Sequence, residues 1–130
     1  MNKTLVFIGE GQTFDQRKIR RDLSKIGVTN LRFGDLIGSV LEGDYRFNED
    51  VTIVRLSDDL QTISMYGTGD ASLNLALELQ RREPRPLRVT DLGYDFEFSL
   101  QSVHTIEGML HKINAEVYET EQPAPAQQVA

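Results

Sequence analysis

Three residues have the types and spacing of a metal site: His104, Glu107 and His111. On a helix Glu107 and His111 stand one turn apart, with His104 just ahead of the same face, and helical i, i+4 pairs of this kind do hold divalent metals. A third protein ligand, such as an Asp, would have to come from elsewhere. Solvated positions opposite the apolar face Ile106, Met109, Leu110 and Ile113 account for the same spacing, so the chain is read without metal or cofactor. The two histidines are also its general-base candidates of that type. There is no cysteine, no G-x-S-x-G, and no carboxylate pair with a local spacing that marks hydrolysis. The chain is therefore expected not to be an enzyme.

Two glycine turns have the form of anion sites. Gly9-Glu10-Gly11 follows an apolar run and precedes a helix, as in a dinucleotide-binding turn, but Phe14 stands where a third glycine would be. Gly67-Thr68-Gly69-Asp70 also leads into a helix, whose backbone N–H groups can bind an anion. No Lys or Arg directly follows it, and Asp70 repels negative charge. A strand exit with a helix cap explains this second turn better.

The elements that carry these residues follow from periodicity. Leu5 to Ile8 reads as a buried strand. Thr13-Phe14-Asp15-Gln16 has capping-box spacing, so a helix is expected from there with Phe14, Ile19, Leu23 and Ile26 inward and Gly27 ending it. A strand near 29–33 gives way to a less regular stretch up to residue 50. Val51 to Ser57 and Leu60 to Tyr66 make an antiparallel hairpin around Ser57-Asp58-Asp59. A buried helix over 71–82, capped by Thr68 or Asp70, is stopped by Pro84. A strand at 87–91 follows, then the period-2 run Tyr94 to Leu100, with Leu92-Gly93 as either a tight turn or a bulge. The last helix carries Ile106 to Ile113. The expected fold is α+β: one domain over residues 1–118, a mostly antiparallel or mixed sheet with about three helices packed on it, and a flexible tail over 119–130.

Charge says more than motif does. The 130 residues carry a net charge of -6, against the basic face that nucleic-acid binding needs. The apolar run at the start is too short for a signal peptide and no segment approaches a membrane span, so a cytoplasmic protein is expected. Residues 35–59 hold seven acids (Asp35, Glu42, Asp44, Glu49, Asp50, Asp58, Asp59) against Arg46 and Arg55, and 91–121 hold seven against Lys112. Basic residues concentrate in the first helix and in 81–88. If the central hairpin and the 94–100 strand share a sheet, their outward acids form one negative, partly aromatic surface, suited to a basic partner.

The runs Val51 to Asp59, Leu73 to Leu79, Pro86 to Val89 and Tyr94 to Phe98 resemble, in texture, the small immunity proteins of bacterial contact-dependent inhibition and polymorphic toxin systems. The resemblance implies a non-enzymatic inhibitor that binds a cognate basic toxin domain. Its contacts are expected at Asp44, Glu49, Asp50, Asp58, Asp59, Asp95 and Glu97, with Tyr45, Tyr66 and Tyr94 as aromatic anchors. The alternative is a small ligand-sensing or regulatory domain that holds an anionic metabolite at one of the glycine turns, as a homodimer through an exposed sheet edge.

Overall fold

The computed structural model of the protein describes residues 2–34 and 38–121, with 117–121 in backbone only. Its strands are β1 (Lys3–Phe7), β2 (Thr29–Arg32), β3 (Ser39–Phe47), β4 (Asp50–Ser57), β5 (Thr62–Tyr66), β6 (Arg88–Asp91) and β7 (Glu97–Ser99). Its helices are α1 (Gln16–Ile26), α2 (Asp70–Arg82) and α3 (Ile106–Glu121). The fold is α+β: all seven strands join one antiparallel sheet in the order β2-β3-β4-β5-β1-β6-β7.

Side-chain alternation divides the sheet into two faces. Val6, Val54, Leu56, Ile63, Met65, Val89 and Phe98 are buried on the helix-covered side, where α2 packs its own buried Leu73, Leu75, Ala76, Leu77 and Leu79. Helices α1 and α3 flank α2, and Met109 of α3 is fully buried. The reverse face carries half-buried Leu5, Phe7, Ile53 and Tyr66 and, among the described residues, no helix.

Local chemistry corrects several expected boundaries. Helix α1 is capped by Asp15, whose Oδ1 accepts from the Arg17 and Lys18 amides at 2.9 and 3.2 Å, not by Thr13. An Asp one residue before the helix reaches these amides directly. Gly27 ends the helix at φ 117°, a left-handed conformation suited to glycine. The stretch expected to be irregular contains the nine-residue β3, while the run from Tyr94 yields only the short β7. Leu92 and Gly93 lie in a turn between the paired β6 and β7, not in a bulge. Helix α3 continues to Glu121, past the expected start of the tail at 119, since Glu-Thr-Glu is compatible with helix and the first proline comes at 123. Residues 122–130 of that tail, and Asp35 of the first acidic stretch, lie outside the described residues.

Candidate interaction surface

The sheet register sorts the candidate acids by end. The β4–β5 turn with Asp58 and Asp59 lies at one end, beside the close of β1 and the start of β6. The β3–β4 turn with Glu49, the start of α2 and the β6–β7 turn all lie at the other. Strand β4 has eight residues, so these ends are separated by about 23 Å. Glu49, Asp50 and Asp95 are thus brought to one end of the sheet, together with Asp70 and Asp91. Asp58 and Asp59 are not. There the Asp59 carboxylate accepts from the Ser57 hydroxyl at 2.6 Å and the Gln61 amide at 3.0 Å, and the hydroxyl contact leads in holding its carboxyl below the usual range.

The hairpin and β7 do share the sheet, yet they do not form one negative face. Three strands separate β4 from β7, which is about 19 Å from strand to strand. Across the uncovered face Lys3, Arg32, Arg46, Arg55 and Arg88 alternate with Glu42, Asp44 and Glu97. Glu42, only 3% exposed, is gripped by Arg55 at 3.0 Å and Arg32 at 3.4 Å. Arg32 also lies 3.6 Å from Asp44, and Arg88 pairs with Glu97 at 2.8 Å. Cations brought by register from distant parts of the chain neutralise the acids that look unopposed along the sequence.

The remaining expected contacts divide in the same way. Tyr45 is 6% exposed, stacked on Phe47 at 6.5 Å, and its hydroxyl accepts from Asn74 at 2.7 Å. It is a core residue rather than an anchor, because β3 turns it toward α2. Asp50 is also structural: its Oδ2 accepts from the Ala71 amide at 3.0 Å, so it caps α2 in place of Thr68 or Asp70. A Cβ on Gly69 would meet that oxygen at 2.5 Å, so glycine is what admits the cap. The Asp50 carboxylate therefore takes the place an anion would occupy at the Gly67–Asp70 turn. Tyr66 lies on the uncovered face between Lys3 and Arg55, whose charged groups are 5.3 and 5.1 Å from its ring centre.

The β6–β7 turn is where exposed apolar surface and acids meet. Tyr94 is 73% and Leu92 51% exposed. Asp91 holds the turn: its carbonyl accepts from the Tyr94 amide at 3.1 Å and its carboxylate from the Asp95 amide at 2.7 Å. The buried Thr90 hydroxyl donates to the Phe96 carbonyl at 2.6 Å. Tyr94 sits at φ 56°, a costly conformation for a residue with a Cβ, sustained by this network. Asp95 and Glu97 flank it, and Glu116 of α3 accepts from the Glu97 amide at 3.4 Å.

Among the described residues no three His, Asp or Glu side chains converge to hold a metal, so His104, Glu107 and His111 are not completed by a further ligand. No described helix is long and apolar enough to cross a membrane. Comparison with protein-family models, curated proteins and solved structures gives no match.

Proposed function

We propose that the chain is a non-enzymatic protein-binding inhibitor of the immunity-protein kind, acting in the cytoplasm on a basic toxin domain. The observation that carries this reading is the β6–β7 turn. It exposes Leu92 and Tyr94 on a backbone fixed by Asp91, with Asp95 and Glu97 beside them. A rigid aromatic anchor beside acids is the composition of an interface hot spot, because the ring loses little conformational freedom on binding and Asp95 steers a cationic partner, with the charge of Glu97 offset by Arg88. The reading narrows the contact set expected from sequence to Tyr94, Asp95 and Glu97, with Glu49 at the same end of the sheet.

The test is titration of the purified chain against the toxin domain encoded by the neighbouring gene, at several salt concentrations. Asp95→Lys with Glu97→Lys should weaken binding at low salt and flatten its salt dependence, since long-range attraction is what salt screens. Tyr94→Ala should weaken binding at all salt concentrations, with about a tenfold loss or more expected of an anchor. Unchanged affinity in both variants, with the fold intact by circular dichroism, rejects this surface. Absence of binding by the native chain rejects the partner.

A further inference from the structure

On the uncovered sheet face Lys3, Arg55, Ser57, Thr62, Ser64, Gly38 and Ser39 line a shallow pocket of about 270 Å³. We propose that this pocket binds a phosphate-type oxyanion, held by Lys3 and Arg55 with hydroxyl donors from Thr62 and Ser64. Among the described residues the lining is two cations, four hydroxyls and a glycine. Register explains the convergence: Arg55 is directly opposite Ser64, and Lys3 is opposite Tyr66 on the next strand but one from Arg55.

Two features favour an anion at this site. First, both cations lie close to the single ring of Tyr66, whose face attracts each while they repel one another. Glu42 offsets only part of this charge, because its one carboxylate is shared between Arg55 and Arg32. Second, among the described residues no carboxylate pairs with Lys3, and the Thr62 and Ser64 hydroxyls bond no protein group. An oxyanion in the pocket would give the two cations charge-assisted contacts and both hydroxyls an acceptor. Ser57 has another role, since its oxygen already bonds Asp59, Gln61 and Thr62 within the turn.

This site requires no glycine turn and no helix N-terminus, and it stands whether or not a toxin binds elsewhere. The experiment is amide chemical-shift titration of the native chain with inorganic phosphate and, separately, with phosphoserine, each at constant ionic strength. Saturable shifts at Lys3, Arg55 and Ser64 are expected. Equal binding of the two probes identifies the free anion as ligand, while tighter phosphoserine binding identifies a phosphorylated group on a larger molecule. Lys3→Gln and Ser64→Ala should each weaken binding about tenfold. Both positions are half-buried at the surface, which keeps the fold intact, and Lys112→Gln on α3 should leave binding unchanged. Shifts that do not saturate, or that persist undiminished in Lys3→Gln, overturn the proposal.

Discussion

Among the three tyrosines expected to anchor a partner, only Tyr94 projects freely, and the reason is the face on which each residue falls. Tyr45 shares the inward side of β3 with Leu41, so its hydroxyl needs the bond from Asn74 that it receives. Tyr45→Phe should lower unfolding free energy by about 1 kcal/mol, read from urea denaturation, because it strands the Asn74 amide donor. It should leave binding through the β6–β7 turn unchanged. Period-2 pattern puts Asp95 and Glu97 on one face and Tyr94 on the other with Phe96 and Phe98, yet Tyr94 is exposed while the two phenylalanines are buried, and no pattern reveals what Asp91 does. That residue reads as the polar end of a strand, whereas its buried carboxylate holds the turn through the Asp95 amide. The cation array around Tyr66 was also hidden, because Lys3, Arg55 and Tyr66 come from three strands and have no shared local spacing.

At the scale of elements, strong local signals survived and long-range ones did not. The 50s–60s hairpin and the buried helix α2 were legible because each rests on its own periodicity, whereas of the apolar face expected on α3 Met109 is buried, Ile106 and Ile113 are half-buried and Leu110 is exposed. Strand β3 was not legible. Its inward residues Leu41, Gly43 and Tyr45 include a glycine that breaks the apolar alternation, and that glycine is required because a Cβ there would come 2.6 Å from Val28. Its outward Glu42 is buried by arginines from β2 and β4, a placement no local pattern announces. The cap of α2 has the same origin, lying 21 residues upstream in Asp50. Asp50→Ala should cost about 1 kcal/mol in unfolding free energy, with Asp50→Asn retaining most of the cap. A loss near zero for the alanine variant would show that water satisfies the Ala71 amide instead.

Over the whole molecule, the net charge of -6 resolves into separately organised ends and faces. At the end where α2 closes, burial alone would raise the Glu83 carboxyl, but hydrogen bonds from the Arg85 side chain and backbone outweigh it and hold the group below the usual carboxylate value. A carboxyl depressed in the folded state stabilises fully above its unfolded value of about 4.3, and this contribution fades as pH falls through the lower folded value. Urea midpoints measured between about pH 6 and pH 3 should therefore drop less steeply for Glu83→Gln than for the native chain. The same sheet that carries these networks also ends unusually at its two borders. Strand β2 offers four residues with a break in register and Asn30 at φ 55°, and β7 offers three. Neither border presents a long, straight row of free amides and carbonyls, so another chain has little to extend by strand addition. Association of this protein, with itself or with a partner, is thereby directed to side chains on its faces and ends. Concentrated samples should accordingly resist conversion to fibrils, a property that thioflavin fluorescence over prolonged incubation would measure.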